Sequence, residues 1–239
     1  MAEHMLKSYE EELSRLAAIL ARMGGFAEAQ LADSIDAIVR RDLALADRII
    51  ESDAQIDQIE REVDAMAVRL LALRQPVGVD LREIVSSLRI STDLERIGDL
   101  AKNIAKRVSI INQSNPVRAI RGLERMGRLV LGQLKAVLDA LSARDADAAH
   151  LVWRRDEEID DMNNSLFREL LTYMMEDPRT ITVSTHLLFI AKNLERVGDH
   201  CTNIAETIHY LKTGTGFDGE RPKSDAPYAA LNDQSGEHA

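Results

Sequence analysis

Asp93-Leu94-Glu95-Arg96-Ile97-Gly98-Asp99 returns 100 residues later as Asn193-Leu194-Glu195-Arg196-Val197-Gly198-Asp199. The chain reads outward from this pair as two copies of one supporting unit. Each copy sets two carboxylates at i and i+4. A helix holds such residues on one face with Cβ atoms about 5–6 Å apart, where like charges repel unless a positive charge joins them. Each copy also has a glycine within the pattern. Glycine costs roughly 1 kcal/mol in a helix interior, so Gly98 and Gly198 imply close approach by a neighbouring backbone.

Flanking apolar spacing extends the helical reading. Leu6, Tyr9, Leu13, Leu16, Leu20 and Met23 step by three and four, and the seam runs on through Leu31, Ile35 and Ile38 to a break near Arg41-Asp42. A second seam, Ile49 to Leu73, ends at Gln75-Pro76, because proline disfavours helix in the residue before it. Asp80 with Glu83 reads as an N-cap and capping box for a third helix that continues to Ile111 and ends at Ser114-Asn115-Pro116. The marks then repeat: Arg22-Met23-Gly24 as Arg125-Met126-Gly127, Arg41-Asp42 as Arg144-Asp145, and Ile56-Asp57 as Ile159-Asp160. Asp177-Pro178 starts the last helix, and Gly214 stops it.

The fold expected is all-α: two tandem, pseudo-symmetric three-helix bundles over residues 1–114 and 117–212, with negligible strand. Aliphatic-rich composition with only 4% aromatics agrees. Residues 213–239, rich in Gly, Asp, Pro, Ser and Glu, read as a disordered tail.

A net charge of −10 without a dense basic run argues against nucleic acid as a partner. Cys201 is the only cysteine, which excludes an intrachain disulfide and a Cys-rich zinc site and leaves it as a small core residue. The acidic N-terminus lacks the pattern of a signal peptide, and no apolar run is long enough to span a bilayer. A soluble, cytoplasmic protein is expected, touching membranes only through partner proteins.

The second helix of each half carries its own i, i+4 pair, Asp53 with Asp57 and Asp156 with Asp160. Consecutive antiparallel helices bring these pairs beside Glu95 with Asp99 and Glu195 with Asp199. Asp53 flanks the core and its partners point further outward, which describes four carboxylates on a bundle surface. All-oxygen sets suit hard or borderline cations such as magnesium, manganese, calcium or ferric iron. The Glu-x-x-His pattern of di-iron bundles is missing from these helices. Each acidic pair taken alone reads as a solvated helix face, and it is the fourfold recurrence that favours a site. Three further readings compete with added roles there. Arg96 and Arg196 are candidates to neutralise the acids in place of a metal. His200, whose counterpart is Leu100, reads better as a packing histidine than as an extra ligand. Asn103 and Asn203 read as polar surface.

The two halves, with Leu94-Glu95-Arg96-Ile97-Gly98-Asp99, Leu194-Glu195-Arg196-Val197-Gly198-Asp199-His200, Asn203-Ile204-Ala205 and Tyr173-Met174-Met175-Glu176-Asp177-Pro178-Arg179, resemble the PhoU family over about residues 1–212. The resemblance implies a cytoplasmic, homodimeric, non-enzymatic negative regulator of phosphate uptake and starvation signalling. Such a protein joins the ATPase subunit of a phosphate ABC transporter to a sensor histidine kinase. It also implies metal ions (iron, manganese, magnesium or zinc) on Asp53, Asp57, Glu95, Asp99, Asp156, Asp160, Glu195 and Asp199. The alternatives are a carboxylate-ligated metalloenzyme, for which no nucleophile, acid/base histidine pair or Gly-rich phosphate loop accompanies the acids, and a metal-free helical scaffold.

Overall fold

A computed structural model describes residues 2–113 and 119–217. The described residues form helices and turns with no strand. The first half holds α1 (Ala2–Arg40), α2 (Leu43–Arg74), α3 (Gly78–Ala105) and the short α4 (Val108–Asn112). The second holds α5 (Ile120–Ala143), α6 (Ala146–Arg154), α7 (Asp156–Glu176), a 3-10 turn (Pro178–Thr180) and α8 (Ile181–Thr213).

The repeated Arg-Asp marks have one local cause. Arg41 and Arg144 adopt positive φ (54° and 52°), ending α1 and α5. Asp42 and Asp145 then cap the next helix, accepting from the backbone N–H of Leu45 and of Asp147 and Ala148. Asp177 caps the 3-10 turn with Pro178 at its first position, and Gly214 at φ 80° closes α8.

Four expectations need correction. Helix α3 starts at Gly78 behind Val77, which makes no side-chain cap. Asp80 therefore lies inside the first turn, and Glu83 is buried and pairs with Arg144 of the other half. The third helix is interrupted at Lys106-Arg107 before α4 resumes. The second helix of the second half is divided at Arg155 into α6 and α7. On either side of that break Trp153 and Asp156 both turn inward to α8, the indole N–H donating to Glu206 and Asp156 accepting from Thr202. Finally, Phe217 lies beyond the helix yet packs on His209, His150 and Trp153, with ring centroids 4.2, 5.1 and 5.2 Å away. The end of the third helix at Ser114-Asn115-Pro116 and the tail from 218 onward lie outside the described residues.

Within the first half α1, α2 and α3 pack on one another, and α5, α6 and α7 pack on α8 in the second. The halves join along α3 with α8 and α1 with α5. One apolar core runs through both, including Leu31, Ile97 and Ile104 from the first and Met126, Leu194 and Val197 from the second. The α1–α5 contact shows the pseudo-two-fold directly. A Cβ on Gly24 would fall 2.5 Å from Leu138 Cδ2, and one on Gly127 2.9 Å from Ile35 Cδ1. Gly24 and Gly127 are thus in register, as are the side chains that fill their gaps. Cys201 is fully buried in this core, and burial pushes its thiol pKa well up, as an inert core residue requires. Among the described residues no helix is long and apolar enough to cross a membrane.

Candidate metal centre

In each half the acidic groove lies where the second long helix crosses the third, and a buried glutamine from the first helix closes its floor. Gly98 makes room for Ile56, since a Cβ there would stand 2.9 Å from Ile56 Cδ1 and 3.0 Å from Gln30 Oε1. Gly198 does the same for Ile159 and Gln133, at 3.0 and 3.3 Å. The close approach inferred from these glycines is real, but it is made by side chains, because isoleucine knobs seat in the glycine gaps. Gln30 Nε2 donates to Ser52 Oγ, and Gln133 Nε2 to the Val152 carbonyl. Both amide oxygens are buried with no hydrogen-bond partner, beside Gly98 and Gly198.

In the first half Asp53 is only 7% exposed, while Asp57, Glu95 and Asp99 are half-buried. The ammonium of Lys102 sits between the two helices, with Nζ 2.5 Å from Asp53 Oδ2 and 2.6 Å from Asp99 Oδ1. Burial works against its charge, but the two carboxylate hydrogen bonds outweigh that and push its pKa up. Asp53 Oδ1 stays buried without a partner. Glu95 has its pKa raised, first by burial and then by Asp99, with smaller contributions from Glu60 and Asp57. Glu60, also raised by burial and then by Asp64, accepts a hydrogen bond from Thr92 and belongs to the same acidic face.

The second half keeps the carboxylates and changes their neighbours. Asp156 is 2% exposed and accepts from Thr202 Oγ1 at 3.1 Å. Thr202 stands in register with Lys102. Glu195 is approached by Lys192 Nζ at 2.8 and 2.6 Å, and Lys192 stands in register with Thr92. Asp160 and Asp199 are half-buried. Asn163 takes the position of Glu60.

Arg96 reaches Glu95 only at 3.5 Å with 57% of its side chain exposed, and Arg196 is exposed. The neutralising groups are lysines instead, three residues from a carboxylate on the same helix. His200 does not join the acids of its own half. Its Nδ1–H donates to Asp93 Oδ1 at 2.8 Å, and Asn203 Nδ2 donates to the same oxygen at 3.3 Å. Both side chains clasp α8 to α3, while Asn103 is exposed.

Among the described residues, no three His, Cys, Asp or Glu side chains converge closely enough to hold one ion. The first half does not fit a metal as it stands, because the Lys102 ammonium lies between Asp53 and Asp99. The second half offers an all-oxygen donor set of the type that hard cations take, Asp156, Asp160, Glu195 and Asp199, with the neutral Thr202 in place of Lys102 and the exposed Lys192 paired with Glu195.

Comparison with known proteins places this geometry. The family model described as "PhoU domain" matches residues 20–108 and again 123–208. A "Phosphate-specific transport system accessory protein PhoU homolog" of Caulobacter vibrioides (strain NA1000 / CB15N) is 56% identical over 226 residues, covering 94% of this chain and 98% of that protein. Its namesake in Rhizobium meliloti (strain 1021) is 53% identical over 223 residues, covering 93% and 94%. The crystal structure of PhoU from Pseudomonas aeruginosa superposes with a TM-score of 0.84 at 39% identity, covering 87% of this chain and all of that one. That of the phosphate transport system regulatory protein PhoU from Streptococcus pneumoniae gives 0.82 at 31%, covering 88% and all.

Proposed function

The chain belongs to the PhoU family, and from that premise we propose that it is a negative regulator of phosphate uptake and phosphate-starvation signalling. In this reading it catalyses no reaction. It works in the cytoplasm as a homodimeric adaptor between the ATPase subunit of a phosphate ABC transporter and a sensor histidine kinase. The observation that carries the reading is the 56% identity to the Caulobacter phosphate-transport accessory protein across almost the whole of both chains. The proposal includes a metal ion, of iron, manganese, magnesium or zinc, held by Asp156, Asp160, Glu195 and Asp199. A cation there offsets the repulsion of carboxylates gathered on two adjacent helices and ties α7 to α8.

Deleting the gene tests the regulatory reading. Starvation genes should stay on, and phosphate uptake should run unrestrained, in phosphate-rich medium. A deletion strain that represses both normally contradicts it.

A further inference from the structure

We propose that Arg107, with His186 and Phe189 beside it, is a docking point for a partner protein that presents a carboxylate next to an apolar side chain. The inference deepens the adaptor reading above and rests on it for the choice of partner.

The chain has 40 acidic and 30 basic residues, and several of its arginines sit against carboxylates: Arg22 on Glu62, Arg74 on Glu12 and Arg144 on Glu83. Arg107 is different. It stands at the break between α3 and α4, half-buried against α8, and no acid among the described residues answers its charge. Its Nη1 lies 3.0 Å from His186 Nδ1, its Cζ lies 4.4 Å from the centre of the Phe189 ring, and its Nε is buried without a partner. A guanidinium only donates, so His186 Nδ1 accepts, and the imidazole is neutral with its proton on Nε2. Burial and then Arg107 lower the His186 pKa, in keeping with that form. A partly desolvated cation held only by a neutral imidazole and the face of a ring gains from an incoming carboxylate.

Phe189 is 50% exposed, so the ring that backs the guanidinium also offers an apolar surface to solvent. Arginine and aromatic side chains are both enriched in protein interfaces. A free anion uses only the charge, whereas a protein segment covers the ring as well. The packing of the repeat does not require this arrangement: the register counterparts of Arg107, His186 and Phe189 are Thr207, Ser86 and Arg89.

The test titrates wild type, Arg107→Glu, Arg107→Lys and Phe189→Ala against the purified phosphate ABC transporter, ATPase subunit included, and against the full-length sensor kinase, both in lipid nanodiscs. Melting temperature is read in parallel. Wild type should bind at least one of the two, and Arg107→Glu should weaken that binding about tenfold or more. Arg107→Lys, which keeps the charge, and Phe189→Ala, which keeps the guanidinium, should weaken it less. All variants should melt within roughly 5 °C of wild type. A scan of the partner's exposed Asp and Glu to Lys should find a position that restores binding to Arg107→Glu while weakening it to wild type. Arg107→Gln repeats the titration if the glutamate variant does not fold. A glutamate or glutamine variant that binds as wild type does overturns the proposal and leaves Arg107 a clasp between α4 and α8, and so does a loss that no position in the scan restores. Inorganic phosphate that raises the melting temperature of wild type, leaves that of Arg107→Glu unchanged and displaces the partner also overturns it, by making the site one for a free anion. Wild type that binds neither partner contradicts the adaptor reading itself, and the proposal falls with it.

Discussion

The two halves share a backbone plan and four carboxylate positions, and they differ in where each keeps its lysine. In the first, Lys102 lies deep between Asp53 and Asp99 and Thr92 stands at the rim; in the second, Lys192 is at the rim and Thr202 lies deep against Asp156. The packing of the two copies is nearly interchangeable, as Gly98 with Ile56 and Gly198 with Ile159 show. Their electrostatics are not. A repeat in this chain therefore carries its geometry from copy to copy, while the exchanges Thr92 for Lys192 and Lys102 for Thr202 change what neutralises it.

The largest effect should come from the shared geometry. Valine at Gly98 drives branched carbon into Ile56, where even a Cβ is at 2.9 Å, and should cost about 3 kcal/mol and lower the melting temperature by roughly 6–12 °C. Gly198→Val, with contacts of 3.0 to 3.5 Å, should cost somewhat less. If both variants melt within a degree of wild type, the two grooves are not built on close isoleucine–glycine contacts.

A smaller effect should mark what one half has and the other lacks. The Asp93–His200 contact joins α3 to α8, whereas the register partners Asn193 and Leu100 cannot reproduce it. A double-mutant cycle with Asp93→Ala and His200→Ala should give a coupling of about 1 kcal/mol. Additive single mutants would remove the clasp from the account.

The smallest effect separates the acidic faces by pH. Glu95 has its folded pKa raised by burial and then by Asp99, so the folded state favours its protonated form. Its contribution to stability is therefore fully present below the unfolded pKa and is lost as pH rises through the raised folded value. In chelator, Glu95→Gln should match wild type at about pH 4 and exceed it by a few tenths of a kcal/mol at about pH 7. A melting-temperature difference that shrinks with rising pH would show the opposite environment.

The helical frame was open to sequence reading because its signals are local. Apolar seams, the left-handed arginines with their capping aspartates, Pro76, Asp177-Pro178 and Gly214 each act within a turn or two of the backbone they shape. The acidic pairs were legible for the same reason. What joins elements was not. Gln30 and Gln133 reach the grooves from α1 and α5, and only tertiary packing puts them there. Lys102 and Lys192 lie outside the repeated heptapeptide, whose own arginines are the nearer candidates in sequence to neutralise the acids. The available signal was an i, i+3 lysine beside a carboxylate in each half, with its position exchanged against threonine. The breaks at Lys106-Arg107 and Arg155 interrupt unbroken apolar seams, so periodicity alone runs through them.

The account turns on whether metal distinguishes the halves, and bound metal in untagged protein measures that directly. Wild type, Glu95→Gln/Asp99→Asn and Glu195→Gln/Asp199→Asn are equilibrated with manganese, iron, zinc and magnesium and analysed for metal per chain. The account predicts metal in wild type, unchanged by the first pair of substitutions and abolished by the second. Loss that is equal in the two variants, or wild-type protein that takes up none of the four metals, would contradict it.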